Sequence, residues 1–328
     1  MSRARYFGFR VIQTIVLIWF VMTFLFFFFR LMPGSYAEMM LFQGASPEAV
    51  AAFEQKWGLN DPLYVQYWRF IKNMVSLDAG TSLQFKEPVW EYVKMKIFNS
   101  FILVAPAITT AFVLGSLFGT VAGMNRDSRL ERHGIVPLVI FGSIPEFFLA
   151  ILMVILFAGI LNLFPTSGMI SATTQFPENA AWWRPYLSDD FRIHYILPFA
   201  TVVLRYLFTP TLVMRNSVVE VLEEDFIYYH RLSGMPWLER FNTTVKHGSL
   251  PVITLYPVAM TRALGGLVLV ETVFNWPGIG FALVQAVLSR DVPVVQFVFF
   301  VVAAFVIIAN FSVDLIYGVI DPRVGVEE

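Results

Sequence analysis

The chain has 328 residues, of which 57% are hydrophobic and only 14% charged, with a mean hydropathy of +0.65. Soluble domains carry about 25% charged residues, so this apolar surface exceeds what one water-soluble core can hide, and lipid is the solvent that suits it. A formal net charge of −1 gives no field for collecting nucleic acid, and the lack of cysteine excludes disulfides and thiolate metal sites.

Arg3, Arg5 and Arg10 precede an apolar run over residues 11–29. The run is about as long as a bilayer is thick and longer than a typical signal-peptide core. No small-x-small cleavage site follows, since the chain continues Arg30-Leu-Met-Pro-Gly34, and the run reads as an uncleaved first span. Its phenylalanines 26–29 are expected to face lipid. Residues 31–96 then form an extracytoplasmic segment. Within it, Ser46-Pro-Glu-Ala-Val50 has the form of a helix start and Gly58 of a stop. Tyr64, Tyr67, Trp68 and Phe70 suit a membrane interface. The segment reads as a small lid on the bundle, with direct substrate contact as the alternative. Five further apolar stretches, 97–124, 135–161, 195–213, 250–273 and 294–317, are each long enough to span as a helix. Pro106, Gly115, Gly119, Pro145, Pro257, Gly265 and Gly266 inside them permit kinks or close packing. The connection 162–194, with Pro165, Gly168, Pro177, Pro185 and the pair Trp182-Trp183, reads as an irregular outer loop.

With six spans, Arg126, Arg129, Arg132, Arg215, Arg231, Arg240, Lys246 and Arg323 fall on the side of the N-terminal arginines. That side is the cytoplasm by the positive-inside rule, which places both termini there.

Missing motifs narrow the function. None of the six lysines follows a glycine, so no phosphate-cradling GxxxxGK[ST] loop exists, and HExxH and GxSxG are absent too. His133, His194, His230 and His247 lack metal-ligand spacing. The chain is therefore expected to be no enzyme and to hold no metal or cofactor. The informative stretch is the cytoplasmic loop 215–250, long for a connection inside a bundle. A helical stretch reaching Gly234, a sharp turn and a second helix ending at Ser249-Leu-Pro251 make a docking element for a soluble partner. A plain solvated loop is the alternative.

This arrangement resembles the coupling-helix loop of binding-protein-dependent ATP-binding-cassette (ABC) permeases. More closely, the chain resembles the first permease subunit of the dipeptide/oligopeptide/nickel family. The stretches that carry the resemblance are Leu31-Met-Pro-Gly34, Ser46-Pro-Glu-Ala-Val50, Trp57-Gly-Leu-Asn-Asp-Pro-Leu63, Ser143-Ile-Pro145, Pro165-Thr-Ser-Gly168, Leu197-Pro198 and Glu220-Val-Leu222. They continue with Val270-Glu-Thr-Val-Phe-Asn-Trp-Pro-Gly-Ile-Gly280, Arg290-Asp-Val-Pro293, Val313-Asp-Leu-Ile-Tyr317 and Asp321-Pro-Arg323. They run in order over nearly the whole chain. Tyr229-His-Arg-Leu-Ser-Gly234 departs from the small-residue stretch usual in the family, and the spacing from Gly234 to Pro251 is one residue short.

The resemblance implies an all-α integral membrane protein with six transmembrane helices and the type I ABC importer permease fold. Residues 1–96 form the N-terminal span with its extracytoplasmic segment, and residues 97–328 a core permease domain of five spans. It further implies the prokaryotic cytoplasmic (inner) membrane, surrounding lipid, and three kinds of partner. These are a second homologous permease, two cytoplasmic ATPases that bind ATP and magnesium, and an extracytoplasmic solute-binding protein. Di- or oligopeptides are the expected cargo, with nickel chelates or oligosaccharides as alternatives. A passive channel or ion-coupled transporter is the competing class, and it would not need the cytoplasmic loop. Glu224, Asp225, Tyr229, His230, Arg231 and Gly234 are the expected ATPase-coupling residues. Trp276, Pro277, Gly278 and Gly280, an aromatic tip among turn residues, are expected to touch the solute-binding protein. Arg205 and Arg262 fall near the middles of two spans, with Glu146 a candidate counter-ion, and charges at that depth need a partner or a wet cavity. They read either as a structural pair or as a cationic lining of the path for a peptide carboxylate. Glu271 and Asp314 read as helix-end anchors or interface contacts.

Overall fold

The computed structural model describes residues 3–31, 41, 44, 46–177 and 179–320. The motif at 32–34 and the cluster 321–323 fall outside the described residues, as do the side chains of Arg231 and Asp314. Among the described residues the chain is helical, with one isolated bridge between Thr81 and Pro88. Four helices are long and apolar enough to cross a membrane, Phe7–Arg30, Val89–Met124, Asp189–Leu222 and Val292–Ser312. Two bent pairs raise the number to six when each is one span.

The chain folds as two compact units, residues 1–99 with 278–328 and residues 100–277. This grouping does not follow the linear division at 96/97, because the last long helix packs on the first.

The first unit contains α1 (Arg3–Arg30), α2 (Pro47–Trp57), α3 (Leu63–Val75), the start of α4 (Val89–Met124), α11 (Ile279–Leu288) and α12 (Val292–Ile320). Met22, Leu25, Phe26 and Phe29 recur at helical spacing on α1 and form a core with Val294, Phe297 and Val298 of α12. Only part of the phenylalanine run faces outward: Phe27 and Phe28 are exposed, whereas Phe26 and Phe29 are buried. Helix α2 starts after Ser46 and stops at Gly58, as expected from the sequence. Gly58 ends α2 at φ +60°, and Gln66 of α3 donates to the carbonyls of Leu59 and Asp61 at 2.9 and 2.7 Å, fixing the turn between them. Tyr67 and Phe70 pack inward on Phe26, while Tyr64 and Trp68 remain exposed. Ahead of α12, the fully buried Asp291 accepts from Ser82 Oγ at 2.5 Å and from the amide of Gln84 at 3.1 Å.

The second unit contains the rest of α4, α5 (Arg129–Ser143), α6 (Glu146–Met153) running on into a π-helical turn (Val154–Ile160), and a 3-10 turn (Arg184–Leu187). It continues with α7 (Asp189–Leu222), α8 (Asp225–Leu232), α9 (Trp237–Gly248) and α10 (Leu250–Val273). Gly115, Gly119 and Gly123 make a stripe every fourth residue on α4 that lies against α7. A Cβ at 115 would sit 3.0 Å from the carbonyl oxygen of Leu207, and one at 123 would sit 2.9 Å from that of Arg215. Such small-residue stripes bring helix backbones together in lipid, where apolar burial gives no drive. Ser128 caps α5 by accepting from the amide of Glu131 at 3.1 Å, and the Glu131 carboxylate accepts from the amide of Asp127 at 2.6 Å. The same carboxylate pairs with Arg215 of α7 at 2.6 Å. The expected single span 135–161 is instead a pair, Glu131–Ser143 and Glu146–Ile160, bent by 108°. The break falls at Ile144-Pro145, where Ile144 is extended and Pro145 withholds an amide from the helix ladder.

Candidate functional site

Helices α4, α5, α6, α7 and α10 line an open-sided cavity of about 550 Å³. Phe112, Phe147, Phe208, Leu255 and Leu269 supply apolar wall, and Glu146, Arg205, Tyr206, Thr209 and Arg262 supply the polar groups. The three charges singled out from the sequence therefore come from three different helices into one space. Glu146 is the first residue of α6, placed there by the break at Pro145. Its carboxylate lies against Gly266 of α10, where a Cβ would run into it. Tyr206 Oη donates to Glu146 Oε2 at 3.5 Å, and the Arg205 guanidinium lies 5.6 Å from the Tyr206 ring centroid. Glu146 Oε1 and Arg205 Nε are buried without a hydrogen-bond partner. Arg262 lines the same space from α10, ahead of the 53° bend that separates Leu250–Ala263 from Gly265–Val273. The arrangement can hold a polar ligand at a depth where the surrounding helix surfaces are apolar. Tyr206 was missed in the sequence, since one tyrosine in an apolar helix is unremarkable there, and Gly266 was read only as a kink or close-packing residue.

The loop 215–250 has the helix–glycine–helix form, with one addition. The first helical stretch is interrupted at Glu223-Glu224, so α7 ends at Leu222 and α8 is a separate short helix. Gly234, at φ +71°, closes α8 in a Schellman turn: the amide of Met235 donates to the carbonyl of His230 at 3.1 Å. Glu224, Asp225 and Gly234 are exposed, and Tyr229 is 66% exposed. His230 is half-buried, edge-on to Phe226, whose ring also meets His247 at 4.8 Å. Tyr228, Leu232, Trp237 and Leu238 are also exposed, giving α8 and α9 an apolar outer surface. At its far end α9 returns to α7, with Gly248 closing on Val218 and Met214.

The expected aromatic tip at Trp276 is corrected. Trp276 is fully buried and packs between Phe191 and Tyr195, at ring separations of 5.9 and 6.0 Å. Gly278 and Gly280 are buried as well, and Pro277 is partly buried. Phe274, just before it, is buried too, and its carbonyl accepts from the amide of Gly168 at 2.7 Å. The tryptophan plugs the second unit rather than projecting from it. Glu271, in the last turn of α10, is likewise fully buried and accepts from Ser100 Oγ at 2.5 Å. Among the described residues no group of three or more histidine and carboxylate side chains could hold a metal ion.

Comparison with known proteins places these features in a lineage. The family described as the binding-protein-dependent transport system inner membrane component matches residues 95–326, and the N-terminal domain of such components matches residues 4–99. The di/tripeptide transport system permease of Pseudomonas aeruginosa is 32% identical over 306 residues, covering 90% of this chain and 91% of that protein. The glutathione transport system permease of Pectobacterium atrosepticum is 31% identical over 323 residues, covering 97% and 98%. The oligopeptide transport system permease of Bacillus subtilis is 30% identical over 299 residues, covering 89% and 90%. With up to six spans among its described residues, a cavity that carries polar groups and near full-length likeness to permeases, the chain belongs to the family of binding-protein-dependent transport system inner membrane components, the permease subunits of ABC importers.

Proposed function

We propose that this permease carries short peptides inward as half of the membrane portion of an ATP-driven importer. A second, related permease completes the path, two cytoplasmic ABC ATPases drive it, and an extracytoplasmic solute-binding protein delivers the cargo. ATP and magnesium are bound by the ATPases. Both chain termini and the α7–α10 connection face the cytoplasm, and the exposed surface of α8 and α9 around Gly234 meets an ATPase. Closure of the ATPases on ATP then rocks the spans, so the cavity opens alternately to the two sides.

The observation that carries the reading is the cavity that brings Arg205, Arg262 and Glu146 together among apolar helices. A mid-span charge costs about 2.5–3.5 kcal/mol to insert, an expense that suits a route for polar cargo. The relatives' names support peptides as that cargo. The test is ATP-dependent uptake of labelled Ala-Ala by proteoliposomes holding the whole complex and its binding protein. Uptake that stops without ATP is expected. Uptake of a nickel chelate or an oligosaccharide in place of any peptide would overturn the peptide assignment, and ATP-independent flux would overturn the importer reading.

A further inference from the structure

We propose that the α6–α7–α10 cavity is a two-ended site for a zwitterionic short peptide, with Glu146 receiving the ammonium group and Arg262 together with Arg205 the carboxylate. This rests on the reading of the chain as a peptide permease and goes beyond it, because it gives this subunit its own selectivity for both peptide ends.

Three observations converge. First, the charges are available. Glu146 Oε1 and Arg205 Nε are buried without partners, and the remaining Glu146 oxygen is held only by the 3.5 Å contact from Tyr206. Unpaired groups of both signs in one low-dielectric space are offset together by a ligand that brings both opposite signs. Second, the charges enter from different helices. Glu146 starts α6 and lies against Gly266 beyond the 53° bend in α10, Arg262 stands before that bend, and Arg205 stands on α7. Third, the cavity of about 550 Å³ lies within the range of roughly 300–1,000 Å³ usual for small-ligand sites. Phe112, Phe208, Leu255 and Leu269 line it without demanding hydrogen bonds. The ends of the ligand are read and its side chains are tolerated.

The experiment uses the purified permease–ATPase complex without the solute-binding protein, so that selection by that protein does not enter. Binding of Ala-Ala, N-acetyl-Ala-Ala and Ala-Ala-amide is measured by equilibrium dialysis. The wild-type complex is expected to prefer Ala-Ala at least tenfold over either blocked form. Glu146→Gln should abolish the preference over the acetylated peptide and keep the preference over the amide, and Arg262→Gln should do the reverse. Arg262→Lys, which keeps the charge but loses the planar fork, should weaken the preference over the amide, and it decides the point if the glutamine variant does not assemble. Equal binding of the three probes overturns the site, as it would if an acidic group of the second permease already satisfied the arginines. So does undetectable Ala-Ala binding by a complex that transports it. Failure of the same complex to take up any peptide with its binding protein present is the distinct result that overturns the peptide-permease reading.

Discussion

Gly266 leaves the space that the Glu146 carboxylate occupies, so any side chain there meets the acid. Gly266→Val is expected to displace that carboxylate and lower uptake at least tenfold while the complex still assembles, and Gly266→Ala should do so less. Uptake and size-exclusion profiles measured together check this. In the first unit, Asp291 accepts two bonds from the 82–84 turn in full burial, so Asp291→Ala strands both donors. Bonds to a charged acceptor are each worth about 1.5–3 kcal/mol, and a loss of about 3 kcal/mol is expected, read as earlier thermal unfolding in detergent. At this scale the sequence was informative where a residue was out of place. Arg205, Arg262 and Glu146 drew notice because charge at mid-depth is costly, although their meeting in one cavity depends on helix rotations that no pattern encodes. Trp276 misled because an aromatic residue before Pro-Gly has the same pattern whether it points into solvent or back into the core.

The connection between α8 and α9 owes its form to one backbone angle. Gly234 sits at φ +71° with open space where a side chain would go, so the constraint there is conformational rather than steric. A β-branched residue in that region costs about 1–2 kcal/mol or more. Gly234→Val should relax the turn and release α8 from its angle to α9. Uptake is expected to fall while ATP hydrolysis persists and the chain still inserts, and normal uptake by this variant would contradict the coupling role. The stripe on α4 makes a harder demand. Gly119 abuts α7 so closely that Gly119→Leu is expected to force the two helices apart and abolish accumulation of the assembled complex, as shown by blotting of membranes. Helix existence was legible throughout, because 18 or more apolar residues admit few other readings. The bend after α5 was not, since hydropathy runs unbroken across Ile144-Pro145 and a proline inside a membrane helix usually only kinks it.

For the whole molecule, the distribution of arginines predicts an orientation that a cysteine-free chain makes simple to test. Arg126→Cys should react with an impermeant thiol reagent only from the cytoplasmic side, and Thr173→Cys only from the outside. The opposite pattern would invert the topology. Which spans pack together was beyond the sequence, because an apolar side chain gains no hydrophobic energy by choosing protein over lipid tails. Met22, Leu25, Phe26 and Phe29 look no different from the lipid-facing residues beside them, yet they meet α12. That pairing sets a timetable for biogenesis. The ribosome makes residues 100–277 after the early part of the first unit and before its late part. At roughly 5–20 residues per second, the early helices wait on the order of 10–40 s for their mate. During that interval the α1 stripe is open to lipid, insertases and membrane proteases, so a nascent chain released before α12 emerges is a marked substrate for quality control.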